Sequence, residues 1–317
     1  MIALLAWRVD LGEVRERLLL VAPLPLLAAA VVFYTGVLLH ALRWRALLRF
    51  RGADLDLRTL LGIILGANFL NLILPGNLGG DIYRIQGVRH ETRGLLQSTG
   101  LVLLERYCGL CATLLMALAV ITTGDLARRE PGLAFALGVL IALFAAPFLA
   151  LVPGVAPVLE RALLRWRLPR VAQTLSASVA AAREFLARPG VALRVLLLSA
   201  SMKVCVATVL VLLARALSLH LRWIDVVVFL PLHNVVSALP FTLNGLGFRE
   251  ANLVVFVTRL GVSTEEGASL ALLHLLWVYA TACPGVFLLR RRPRHGGPQI
   301  DEREPTAAIE RAERTVA

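Results

Sequence analysis

TLLGIILGANFLNLILPGNL, residues 59–78, is apolar enough to enter a lipid bilayer and too interrupted to cross one as a single helix. Asn68, Asn71, Pro75 and three glycines fall within it. Proline removes a backbone donor and clashes with the preceding turn, so the helix must break near Pro75 and free N–H and C=O groups. At membrane depth such groups are tolerated only where protein buries them or a wet cavity receives them. The stretch therefore predicts a re-entrant hairpin rather than a plain span. A second stretch, VVVFLPLHNVVSALPFTLNGLGF at 226–248, repeats the problem with Pro231, His233, Asn234, Pro240 and two glycines, and predicts a second hairpin.

Around these two lie continuous apolar runs at 18–40, 95–123, 132–152, 191–213 and 268–289, each near the length of about 20 residues that a helix needs to cross a bilayer. Of the 317 residues, 58% are hydrophobic and 17% charged, with a mean hydropathy of +0.76. Soluble domains carry roughly 45–50% apolar and about 25% charged residues. The excess must face lipid, which excludes a disordered chain, a secreted disulfide scaffold and a soluble enzyme. The net charge of +12 would suggest nucleic acid in a soluble protein, but its clusters at 43–51, 161–170 and 290–294 are placed as juxtamembrane anchors attractive to anionic lipid. No nucleic-acid partner is expected. Every basic residue except Lys203 is arginine, a bias better attributed to codon usage than to chemistry. Cys108, Cys111, Cys205 and Cys283 sit in apolar runs, and no second pair or histidine cluster completes a zinc site around Cys108 and Cys111. No metal, cofactor or catalytic residue is expected.

Charge distribution orients the chain. If both broken stretches return to the side they entered from, eighteen arginines lie on the cytoplasmic side and nine outside; if both cross, the same arginines divide thirteen to fourteen. Only the first arrangement has a bias. It makes the two halves upside down relative to each other, and they share a local pattern: Leu74-Pro75 precedes Gly79, Gly80 and Asp81, and Leu239-Pro240 precedes Gly245, Gly247 and Glu250. Inverted repeats with interrupted helices are a common plan of alternating-access transporters. The expected fold is an all-α polytopic protein of the cytoplasmic (inner) membrane, with about five to six spanning helices plus two re-entrant broken helices forming an inverted pseudo-repeat. Residues 1–292 make the integral membrane domain, 293–317 a disordered cytoplasmic tail, and 171–188 a surface helix.

The chemistry gathers at the breaks. A half-helix terminus offers oriented backbone dipoles to phosphate or carboxylate, and Arg84 can hold a phosphate bidentately. A tight turn accounts for Pro75, Gly76, Gly79 and Gly80, but not for Asp81 and Arg84 following at once. Candidate binding residues are therefore Asn71, Pro75, Gly79, Gly80, Asp81 and Arg84 in the first half, and Pro240, Asn244, Gly245, Gly247, Arg249 and Glu250 in the second. Asn68, Asn71 and Asn77 can bind a polar ligand or satisfy freed backbone groups. Glu105 and Arg106 lie ten residues into their run; charges in a span usually face the bundle interior and mark a pathway, and an adjacent pair near the interface is the plainer reading. Lys203, mid-run, costs about 2.5–3.5 kcal/mol to insert charged. Asp81, Glu105, Glu250 or an anionic headgroup should meet it, or it is deprotonated.

At NLILPGNLGGDIYRIQG (71–87), VLLERYCGL (102–110) and ALPFTLNGLGFREANLVVF (238–256) the chain resembles the transmembrane region of lysylphosphatidylglycerol synthases, over residues 18 to 290. The resemblance implies a flippase-like membrane domain moving aminoacylated phospholipid in bifunctional relatives and other polar lipids elsewhere. Two departures stand out. The soluble aminoacyl-transferase domain of the relatives is missing, which removes lysyl transfer, and only seven residues precede Arg8 where relatives have a full first span, so that helix is either lost or upstream of Met1. The expected function is a lipid translocase or lipid-binding protein acting on anionic, aminoacylated or polyprenyl-linked lipids, with its cavity between the two broken stretches. Membrane lipids are the expected partners, with a lipid-modifying enzyme or a second copy of the chain as further ones. The competing classes are an intramembrane enzyme using Asp81 and Glu250 as paired carboxylates, and an ion-coupled small-solute transporter.

Overall fold

The computed structural model describes residues 11–74, 78–92, 94–123, 146–238 and 247–289, with a few positions between 132 and 142. The described residues are helical, with no strand. In chain order the helices are α1 (Leu11–Leu19), α2 (Pro23–Phe50), α3 (Leu57–Ile73), α4 (Leu78–Val88), α5 (Leu95–Thr123), α6 (Val155–Arg165), α7 (Pro169–Leu186), α8 (Pro189–Ala216), α9 (Trp223–Ala238), α10 (Phe248–Arg259), α11 (Thr264–Ala282) and α12 (Gly285–Leu289), with a 3-10 turn at Ala146–Leu151.

Among the described residues four helices are long and apolar enough to cross a membrane: Pro23–Phe50, Gln97–Ala119, Pro189–Ala216 and Thr264–Leu289. Their exposed side chains include Leu24, Leu27, Val31, Leu115, Leu193, Leu197, Leu276 and Phe287, a surface that water would penalise and lipid would not. The number is below the five to six expected. The run at 132–152 falls largely outside the described residues, and its described end is the 3-10 turn. The tail at 293–317 also lies outside them. Helix α2 runs about ten residues past the end of its apolar run, because ALRWRALLRF has no breaker and Pro23 and Pro25 open the helix where proline is tolerated. Helix α7 occupies the predicted surface-helix segment.

At 1.5 Å per residue, α3 with its 17 residues spans roughly 26 Å and α4 with 11 about 16 Å, each short of the ~30 Å hydrocarbon core. They pack on each other as a hairpin. Asp56 caps α3 by accepting from Thr59 N at 3.1 Å. Two glycines make the close approach possible. A Cβ on Gly79 would lie 2.5 Å from Leu74 Cδ1, and one on Gly80 would lie 2.7 Å from the Ala67 carbonyl oxygen, so only glycine lets the two backbones meet.

The second half repeats the order. A 28-residue span, a short pair and a long apolar helix follow one another as α2, α3, α4, α5 and again as α8, α9, α10, α11, the two spans being the same length. Pro23 to Pro189 and Leu57 to Trp223 are each 166 positions, Leu78 to Phe248 is 170 and Leu95 to Thr264 is 169. Each half has its own apolar core, one around Trp44, Leu47, Leu60, Ile64 and Leu101, the other around Leu213, Phe229, Leu253 and Leu270. Helices α2 and α8 form the most extensive pairing and run antiparallel. Ala22 N donates to the Ala216 carbonyl at one end, Arg43 Nη1 to Ser199 Oγ further along, and Arg188 Nη1 to the Phe50 carbonyl at the other end. The leading helices of the two halves therefore point in opposite directions.

Candidate functional site

Helix α4 begins just beyond the break, and its first turn carries Asp81. The start is fixed by Asn71, whose Oδ1 accepts from Gly80 N at 2.7 Å; the amide satisfies one of the donors that a helix N-terminus leaves open. One turn on, Arg84 projects from the same face and is buried.

From there a chain of ion pairs runs inward. Arg106, with a side chain 42% exposed, donates to Asp81 Oδ2. Asp81 Oδ1 accepts from Arg84 Nη2, and Arg84 Nη1 donates to Glu105 Oε2 at 2.7 Å. Glu105, 3% exposed, takes a further guanidinium from Arg43 Nη2 on its other oxygen, where His40 Nε2 also stands at 2.6 Å. Arg43 donates onward to Ser199 Oγ at 3.1 Å, and the Arg84 guanidinium lies over the Trp44 ring, 5.6 Å from its centroid. Four helices are tied together, α2, α4, α5 and α8. The fixed charges do not balance: three guanidiniums stand against two carboxylates.

His40 also lines a cavity of about 210 Å³ between the two halves. The walls come from α2 (Phe33, Gly36, Val37), α3 (Asn68), α8 (Met202, Cys205, Val206), α9 (Phe229, His233), α10 (Leu253) and α11 (His274, Trp277). The surface is mainly apolar, with three imidazoles and the Asn68 amide among its polar groups. His233 and His274 stand edge to face, 6.0 Å between ring centres.

In the second half Glu250 reaches back to cap its own helix, its Oε2 accepting from Gly247 N at 2.6 Å. Gly247 has φ +85°, a left-handed conformation that glycine adopts without strain. Glu250 Oε1 accepts from the buried Arg249 at 3.1 Å.

The sequence-selected residues thus separate into groups. Asp81, Arg84, Glu105 and Arg106 come together. Glu105 and Arg106 are neighbours in sequence but face different ways, Glu105 into the bundle and Arg106 toward Asp81. Asn71, Gly79 and Gly80 form the hairpin crossing that holds Asp81 in place. Gly247 and Glu250 form a separate cap with Arg249, and among the described residues no hydrogen bond or ion pair joins Glu250 to Asp81. Lys203 has no ion pair among the described residues, although Arg43 and Glu105 lie within its electrostatic reach. Pro75, Pro240, Asn244 and Gly245 lie outside the described residues. One placement is corrected. Arg43 belongs to a cluster read as a juxtamembrane anchor, but it is 5% exposed and paired with Glu105, because α2 continues through it and turns it inward.

His40, Arg43 and His274 are the partners that sequence reading passed over. A signal was available: His40 and Arg43 are three apart on one helix face, and His40 is the one basic residue in the run at 18–40. Among the described residues no group of three His, Cys, Asp or Glu could hold a metal.

A family model described as lysylphosphatidylglycerol synthase TM region matches residues 1–285. No curated protein and no solved structure matches the chain.

Proposed function

This chain belongs to the lysylphosphatidylglycerol synthase transmembrane-region family and is a multi-pass membrane protein; from that premise we propose that it is a lipid translocase for anionic, aminoacylated or polyprenyl-linked lipids. The observation that carries this reading is the charge imbalance. Arg43, Arg84 and Arg106 outnumber Asp81 and Glu105, and Lys203 adds a further basic group nearby. Uncompensated charge inside a membrane protein is costly and marks a pathway, and the phosphate of a lipid headgroup is the counter-charge that guanidiniums hold best.

The headgroup enters past Arg106, is passed to Arg84 and Arg43, and reaches the cavity at His40 while the acyl or prenyl chain stays against the apolar wall. The two short helix pairs act as re-entrant hairpins of an inverted repeat, with the cavity between them as the site of alternating access. The arginine-rich side and the C-terminus face the cytoplasm. The antiparallel α2 and α8, and the matching order of helices behind each, support this arrangement.

The test is reconstitution in vesicles with a fluorescent phosphatidylglycerol in one leaflet. Purified protein should speed its appearance in the other leaflet, and Asp81→Asn and Glu105→Gln should abolish the effect. Equal rates with and without protein would reject the reading.

A further inference from the structure

Of the described residues, His40 alone both joins the ion-pair chain and lines the cavity. Its Nε2 has two neighbours with opposite requirements. Glu105 Oε1, at 2.6 Å, needs a hydrogen on that nitrogen; Arg84 Nη1, at 3.3 Å, needs a lone pair. One nitrogen cannot supply both. A neutral ring with its hydrogen on Nδ1 accepts from Arg84 and leaves Glu105 facing a lone pair, whereas a hydrogen on Nε2, in the neutral or the protonated ring, donates to Glu105. Arg84 keeps its bonds to Glu105 and Asp81 in every state of the ring, so a proton added to His40 brings a positive charge to the cavity wall without breaking the ion-pair chain.

The surroundings make this a charge decision as well. Arg43 on its own helix, Arg84 from α4 and Glu105 from α5 face it directly. Lys203 of α8 lies within electrostatic reach of Arg43 and Glu105. His233 of α9, His274 of α11 and Cys205 of α8 stand around the same cavity, with Arg249 of α10 within electrostatic reach of the two histidines. Helix α3 contributes the uncharged Asn68. A proton on His40 raises the excess of positive charge beside the cavity, which an anionic headgroup offsets; anion and proton thus favour each other's binding, and the coupling is reciprocal.

We infer that His40 is a proton-binding site filled together with the anionic headgroup, so that the proton is the ion coupled to lipid movement. The step is a simple association: one proton from water adds to a ring nitrogen when the headgroup enters, and leaves when the headgroup does. This rests on the lipid reading above and goes beyond it by naming the coupled ion and its carrier.

The experiment follows labelled phosphatidylglycerol movement in vesicles between about pH 5 and 8, the range in which histidine titrates. Wild-type protein should change rate by about tenfold across that range, His40→Gln should flatten the profile, and His220→Gln, an exposed histidine far along the chain, should keep it. A direct measurement covers the case in which His40→Gln fails to fold. Adding short-chain phosphatidylglycerol to wild-type protein in weakly buffered detergent solution should take up protons. A pH-independent wild-type rate, a His40→Gln profile like the wild type, or no proton uptake on lipid binding would each overturn the inference while leaving lipid movement itself standing. Absence of lipid movement at every pH would overturn the lipid reading and this inference together.

Discussion

Arg84 Nη1 donates to Glu105 Oε2 across 2.7 Å, joining a helix too short to cross a bilayer to one long enough to do so. The hairpin is thereby fixed to the bundle by charge as well as by packing, and the same two residues sit where the ion-pair chain meets the interior. Substitutions there should separate structural from transport roles.

Glu105→Gln leaves Arg43 and Arg84 facing a neutral amide at a buried position. Removing one member of a buried ion pair costs about 3–5 kcal/mol, and a loss of that order is expected in chemical unfolding of the detergent-solubilised protein. Arg43→Met combined with Glu105→Met removes both charges and should cost less than the sum of the two single changes, by about 0.5–3 kcal/mol. Additive losses would show that the two do not interact in solution.

Gly80→Ala places a methyl group 2.5 Å from Asn71 Oδ1 and 2.7 Å from the Ala67 carbonyl oxygen. Neither the backbone oxygen nor an amide already bonded to Gly80 N can give way, so the α3–α4 hairpin must open. A marked drop in melting temperature and loss of lipid movement are expected. Gly100→Ala, with nothing within 4 Å, should be neutral or slightly stabilising, since alanine is favoured over glycine in a helix by about 1 kcal/mol. Similar melting temperatures for the two variants would contradict the close crossing.

Lys203→Met removes a basic group that has no ion pair among the described residues and sits in a span. The insertion cost of a lysine, about 2.5–3.5 kcal/mol at a helix centre, is relieved, so the variant should unfold at higher denaturant. If Lys203 helps attract the headgroup, lipid movement should fall by about tenfold at the same time, the loss expected for one interaction of roughly 1.4 kcal/mol. A variant that gains stability and keeps full activity would place Lys203 outside the pathway.

Single cysteines at Gln86 and Arg259, both exposed near the ends of α4 and α10, test the inverted arrangement in a background without Cys108, Cys111, Cys205 and Cys283. A membrane-impermeant maleimide should label one from outside and the other only after the membrane is opened. Labelling of both from the same side would refute the inversion.

Much of this was legible in the residue order, for physical reasons that can be named. Pro75 and the glycines around it signal a break because proline and glycine act on the backbone locally, whatever surrounds them. The depth of Glu105 in its run and the mid-run position of Lys203 signal burial because lipid charges heavily for exposed ions. Partner choice was not legible. Arg43 sits among Arg45, Arg49 and Arg51 in sequence, yet Arg45 and Arg49 pair with Asp54 at the exposed end of α2 while Arg43 turns to Glu105. That difference is set by rotation about the helix axis and by how far α2 continues, neither of which a run of apolar residues specifies. Likewise His40 and His274 meet one cavity only because α2 and α11 both border it, a contact between distant segments that no local pattern encodes.

The matched order of helices in the two halves has a consequence for the resting state. If the proposed alternating access holds, halves identical in chemistry as well as in plan would make openings toward either leaflet equal in energy, and the protein would rest equally in both. The contents differ: the first hairpin is tied into a network of five fixed charges, and the second caps itself with Arg249 and Glu250. On the transport reading, an even-handed frame with uneven contents rests toward one leaflet, while the direction of net movement is left to the gradient that drives it.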